Sequence, residues 1–216
     1  MVETKTHPRT LDVLVEIPRG SRNKYEYDHE RQIMRLDRRL FSATVYPADY
    51  GFVPDTLAED DDPVDVLVLV DDPTFPGCWV TARPVGVLQM TDEKGPDAKV
   101  ICVPDGDPRW ENIRDIEDVP KELRSEIEHF FEVYKDLEPG KTATTAGFED
   151  VDAAWAEIEE EAKRTLHTFL AARKLVDFSG PHGFGHAVVE LGRTAPLTTS
   201  IRDGVEARLR TIQPLS

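Results

Sequence analysis

Leu11-Asp12-Val13-Leu14-Val15-Glu16-Ile17 alternates, with Val13, Val15 and Ile17 on one face and Asp12, Leu14 and Glu16 on the other. A period of two is the pattern of a β-strand with one buried face. The same pattern continues outward from this stretch. Pro18-Arg19-Gly20-Ser21 reads as a turn. Lys24-Tyr25-Glu26-Tyr27 alternates again, so Lys24 and Glu26 project from one side of their strand. Residues 64–70 and 80–90 are β-branched and apolar between Asp-Pro and Pro-Gly turns, and residues 99–103 supply a further short strand. So many short strands in the first half of the chain predict a β-rich body closed into a barrel.

The period then changes. Leu123, Ile127, Phe130, Phe131 and Tyr134 recur at helical spacing, which predicts a helix opened by Asp118 and Pro120 and closed by Pro139-Gly140. A second helix is expected over residues 152–175 on the stripe Trp155, Ile158, Ala162, Leu166, Phe169 and Leu170. Residues 177–216 carry scattered glycine and proline with little periodicity outside 201–212, and read as an appendage outside the core. The expected class is α+β, mainly β, with one domain over residues 1–175 and a C-terminal extension over 176–216.

Composition narrows the function. Of 216 residues, 42 are acidic and 26 basic, giving a net charge of −16. A nucleic-acid binder needs a basic face to displace counterions, and an anionic membrane surface needs the same, so neither partner is expected. An acidic surplus suits divalent cations. No apolar run is long enough to span a bilayer, and the first ten residues lack the apolar core of a signal peptide. Cys78 and Cys102 sit in apolar contexts and read as small buried hydrophobes, which favours a reducing cytoplasm.

The densest chemistry is Asp60-Asp61-Asp62-Pro63-Val64-Asp65. A solvated acidic turn is its plain reading. Pro63, however, holds Asp62 extended, and the strand that follows fixes the directions of the carboxylates. A cation is the natural counter-charge, and oxygen ligands favour Mg²⁺, Mn²⁺ or Ca²⁺ over zinc. Asp92 and Asp97 flank the turn Glu93-Lys94-Gly95-Pro96, which would bring both to one end of the sheet, with Lys99 on the face of Asp97. Lys24, Arg38, Tyr46, Tyr50, Tyr134 and Lys135 are candidates to hold phosphate oxygens, arginine as a planar fork and lysine as a point charge.

Val15-Glu16-Ile17-Pro18, Lys24-Tyr25-Glu26, Asp37-Arg38, Tyr46-Pro47-Ala48-Asp49-Tyr50-Gly51, the acidic run, Met90-Thr91-Asp92-Glu93, Asp97-Ala98-Lys99 and His129-Phe130-Phe131-Glu132-Val133-Tyr134-Lys135-Asp136-Leu137 occur in that order. In these motifs the chain resembles the family I soluble inorganic pyrophosphatases of the bacterial type, actinobacterial members included. The resemblance implies hydrolysis of pyrophosphate to two phosphates with several Mg²⁺ ions per site, Mn²⁺ or Zn²⁺ being possible substitutes. It also implies an oligonucleotide-binding-like, closed antiparallel β-barrel with two flanking helices, assembled as a cytoplasmic homohexamer. By the same resemblance Asp60, Asp65 and Asp97 would bind activating metals, and Glu16, Glu26 and Asp92 would meet metals arriving with substrate. Asp62 would orient or deprotonate the attacking water. Lys24, Arg38, Tyr134 and Lys135 would hold the phosphoryl groups, with Tyr50 and Lys99 completing the substrate-binding set. Two features depart from the family: Asp61 stands where it has glycine, and the tail beyond residue 176 is long.

Two patterns are set aside. Gly140-Lys141-Thr142 imitates the end of a phosphate loop, but Lys135 stands where its first glycine belongs and a helix precedes it. His182-Gly183-Phe184-Gly185-His186 has zinc-like spacing, but its glycines argue against the helix that would align the rings. The rivals are a silent cation- or phosphate-binding protein, a nucleotide hydrolase lacking an evident base-stacking pocket, and a single-strand-binding barrel opposed by the −16 charge.

Overall fold

A computed structural model describes residues 9–54, 56 and 63–172, with side chains through residue 165. In chain order the strands are β1 (Leu11–Ile17), β2 (Asn23–Asp28), β3 (Ile33–Arg39), β4 (Asp49–Phe52) and β5 (Asp65–Val68). They continue with β6 (Trp79–Asp92), β7 (Gly95–Pro96) and β8 (Lys99–Pro104). A 3-10 turn (Ile116–Asp118), α1 (Lys121–Val133), β9 (Ala143–Glu149) and α2 (Val151–Ala172) complete the described chain. The class is mainly β with two helices.

β6 is long enough to pair with β1 through its first residues, with β8 through its middle, and with β7 and β9 towards its end. The run of pairings is β1-β4-β5-β8-β6, with β6 returning to β1. The circuit is uneven, and it corrects the all-antiparallel expectation, because β5 and β8 run parallel. Parallel neighbours need a long crossover, and the excursion through β6 and β7 supplies it. β2 and β3 form a separate two-stranded ribbon.

Proline in a central strand is tolerated only where a ladder bond is already missing. Pro84 meets that condition at a register shift between Pro84 and Gly86 in the β6–β8 pairing. Gly51 on β4 is required by close approach. A Cβ there would lie 2.1 Å from the backbone oxygen of Leu14 on β1.

Two apolar layers cover the strands. On one side Ile17, Tyr46, Leu67, Leu88 and Ile101 pack against Ile127, Phe130 and Phe131 of α1. On the other, Val13, Val66, Val87 and Val100 pack against Ala154 and Ile158 of α2. The expected stripes of both helices are therefore the buried ones, as far as the described side chains reach; Leu166, Phe169 and Leu170 lie beyond them. Glu161 is a cost in this packing. It is buried, one carboxylate oxygen has no hydrogen-bond partner, and burial beside Glu157 pushes its carboxyl up to about 8.

The opening and closing of α1 differ from expectation. Asp118 does not cap the helix. Its carboxylate accepts from the Arg114 and Asp115 amides and closes a capping box around the 3-10 turn. α1 ends at Val133, four residues before the expected Leu137 (137 − 133), and Tyr134 to Gly140 continue as turns. The chain leaves the helix axis there and aims Tyr134 and Lys135 at the sheet end. Cys102 is buried as expected, whereas Cys78 is only half-buried, in the turn before β6; neither forms a disulfide.

Candidate active site

Three elements converge on one cleft: the end of the sheet bearing Asp65, Asp92, Asp97 and Lys99, the β2–β3 ribbon, and the turn after α1. Parallel pairing sets Asp65 opposite Lys99. The buried Lys99 ammonium lies 2.5 Å from the Asp65 carboxylate and also hydrogen-bonds Asp97. Burial works against the Lys99 charge, but the two carboxylates hold its pKa well above the ordinary range. Burial, reinforced by Asp65, leaves the Asp97 carboxyl raised despite Lys99.

Glu16 comes in from β1. Its carboxylate accepts the Tyr27 amide at 2.6 Å, which ties the ribbon to the sheet. Burial, with the nearby Asp65 adding to it, pushes Glu16 up to about 7. On the ribbon, period two puts Lys24 Nζ 2.5 Å from Glu26, as the alternation predicts, and 3.8 Å from Asp37. Arg38 pairs with Asp37 beside it and forms a fork onto Glu138 from the α1–β9 turn, at 3.1 Å through Nε and 2.9 Å through Nη2.

From that turn Lys135 reaches Asp92 at 2.8 Å and Glu93 at 3.3 Å. Burial costs the Lys135 ammonium, yet Tyr134 and Asp92 hold its pKa above the usual value. Burial likewise opposes the charge on Asp92, but the Lys135 hydrogen bond and charge together with the Lys94 amide outweigh it, and the carboxyl sits low. Glu93 is held down to about 2 against burial by Lys141 and Lys135. Tyr134 stacks on Phe130 with ring centroids 5.1 Å apart. Tyr50 is buried beside Lys99, whose ammonium lies 6.0 Å from the ring, and burial pushes its hydroxyl pKa well up. Tyr46 is buried deeper in the same aromatic cluster.

The structure thus brings together Glu16, Lys24, Glu26, Arg38, Tyr50, Asp65, Asp92, Asp97, Lys99, Tyr134 and Lys135. Asp60, Asp62 and the substituted Asp61 lie outside the described residues, as do the two histidines at 182 and 186 and the tail. Among the described residues no three acidic, histidine or cysteine side chains already converge as a cage. The donor set nevertheless fits a hard cation: it is all oxygen, and Asp65 and Asp97 bring two carboxylates to the single ammonium of Lys99. Sequence reasoning missed Glu138. It follows the last motif with the look of a surface glutamate, and only its position across the cleft distinguishes it.

The family of inorganic pyrophosphatases matches residues 13–166. The chain is 59% identical over 154 residues to the inorganic pyrophosphatase of Streptomyces coelicolor, covering 71% of this chain and 94% of that one. The chain belongs to the inorganic pyrophosphatase family. It is also 53% identical over 161 residues to the pyrophosphatase of Methanosarcina acetivorans, covering 74% of this chain and 95% of the relative. Among solved structures, the inorganic pyrophosphatase of Thermus thermophilus superposes with a TM-score of 0.72 at 49% identity, covering 74% of this chain and 93% of the other. The chain is accordingly a hydrolase that splits inorganic pyrophosphate into two phosphates, in a family whose members depend on metal. A second family, described as an encapsulating protein for peroxidase, matches residues 147–216, and so overlaps the first on α2. No helix among the described residues is long and apolar enough to cross a membrane.

Proposed function

We propose that pyrophosphate is hydrolysed in the cleft between the β2–β3 ribbon, the acidic end of the sheet and the turn after α1, with Mg²⁺ as the metal. The observation that carries this reading is the convergence of charged groups: Asp65 and Asp97 share the buried Lys99 at the sheet end, Lys135 reaches Asp92 there from the turn after α1, and Arg38 of the ribbon is tied to Glu138 of the same turn. Bound divalent cations would neutralise phosphate charge and lower the pKa of the attacking water. Asp60, Asp65 and Asp97 would hold the activating ions, and Glu16, Glu26 and Asp92 those that arrive with substrate.

Asp62 would orient the water and take its proton. Lys24, Arg38, Tyr134 and Lys135 would donate hydrogen bonds to the phosphoryl oxygens, and these bonds strengthen as charge spreads over those oxygens in the transition state. Lys99, resting between Asp65 and Asp97, would hold the two carboxylates in register. Lys24→Met is expected to lower kcat/KM about 100-fold with little change in Tm, since Lys24 is partly exposed and its ion-pair partners among the described residues are on the ribbon. Steady-state kinetics giving a value within twofold of the parent would remove Lys24 from the substrate site.

The uneven strand circuit is read as an oligonucleotide-binding-like barrel. Exposed Phe75, Trp79 and Leu36, at 65, 59 and 59% exposure, support assembly as a homohexamer. A cytoplasmic location agrees with two free thiols. Residues 1–175 are taken as the catalytic domain and 176–216 as an extension. The separate family match over 147–216 and the poorly satisfied Glu161 on α2 favour a C-terminal segment whose sequence was not shaped solely by this sheet.

A further inference from the structure

We infer that Glu138 is a positioning residue for substrate, holding the Arg38 guanidinium across the cleft so that its outer edge meets a phosphoryl group. The inference rests on the proposed reading of Arg38 as a phosphate ligand. Arg38 belongs to the β2–β3 ribbon, which lies outside the main sheet, and faces the register shift between Lys24 and Tyr25. A long side chain at such a site has many rotamers of similar energy unless something fixes it. Glu138 does so with both oxygens, accepting from Nε at 3.1 Å and lying 2.9 Å from Nη2. A two-point pair sets the plane of the guanidinium as well as its distance.

The carboxylate is itself held. Its side chain is 7% exposed, its amide donates to the Lys135 carbonyl at 2.8 Å, and its carbonyl accepts from the Lys141 amide at 3.2 Å. Arg38 is thereby referenced to the same turn that carries Tyr134 and Lys135. Of the five N–H donors of a guanidinium, Nε–H donates to Glu138, whose other oxygen lies 2.9 Å from Nη2, and one on Nη1 donates to Asp37. Toward the described residues this leaves one donor on each Nη for phosphate oxygens.

The test is steady-state pyrophosphate hydrolysis at saturating Mg²⁺ for Glu138→Gln, Arg38→Ala and the double variant, with Tm measured for each. Glutamine keeps the shape but loses the charge and one acceptor. Glu138→Gln is expected to raise KM about tenfold with kcat within about threefold, and to add nothing further in the Arg38→Ala background. If Glu138→Gln fails to fold, Glu138→Asp, which keeps the charge but shortens the reach, is expected to show the same KM-selective loss. An Arg38→Ala variant with parental KM would overturn the reading of Arg38 itself. If Arg38→Ala raises KM while the Glu138 variants leave it unchanged, or if the two effects multiply in the double variant, Glu138 is not the positioning group.

Discussion

Asp62→Asn is expected to lower kcat about 10²- to 10⁴-fold while the circular dichroism spectrum and Tm stay at parental values. Asparagine keeps the size and can still orient a water, but it cannot accept a proton at neutral pH. Asp61→Gly, which restores the family's usual residue, separates proton transfer from simple loss of charge, because it removes a neighbouring carboxylate without touching Asp62. A kcat near the parent for Asp62→Asn would assign the proton to another group.

Gly51→Ala is expected to destabilise the fold by about 3 kcal/mol, read as a fall in Tm of roughly 10 °C by calorimetry. The added Cβ would stand 2.1 Å from the Leu14 carbonyl oxygen, a backbone atom that cannot swing aside as a flexible side chain would. The strain falls between β1 and β4, and Tyr50 of β4 pairs with Ile17 one residue beyond Glu16. Activity should therefore fall together with stability rather than independently of it. A Tm within two degrees of the parent would mean that β1 and β4 can separate without cost.

Strands were legible where apolar or alternating residues run between turn signals. β2 shows its alternation in Lys24 and Glu26 although none of its side chains is buried. In β1 the alternation finds the strand but not its faces, since Leu14 is buried too and Val13 and Ile17 lie in opposite layers. β6 and β8 were found nearly to their ends. β3 was not, because Ile33-Met34-Arg35-Leu36-Asp37-Arg38-Arg39 has no buried face to impose alternation: it is a ribbon edge, with most of its side chains exposed. β4 was hidden for the opposite reason, since Asp49-Tyr50-Gly51-Phe52 is buried throughout and short. β9 is a polar outer strand, and Gly147 takes a positive φ within it. Periodicity also overran α1, because the apolar stripe runs to Tyr134, the residue that caps the helix, and gives no sign that turns begin there.

The site divides along the same line. Lys24 beside Glu26, and Lys99 beside Asp97, follow from residue spacing alone. The partnership of Asp65 with Lys99 depends on a parallel pairing that no local pattern encodes. Glu138 with Arg38 spans a hundred residues and two separate elements, so only the assembled fold places them together.

The central claim, that this cleft hydrolyses pyrophosphate with Mg²⁺, is tested most directly by phosphate release from pyrophosphate at neutral pH, first with Mg²⁺ and then with excess chelator. Rapid release that the chelator abolishes is the predicted result. No release with Mg²⁺ from folded protein, or release that survives the chelator, would contradict it.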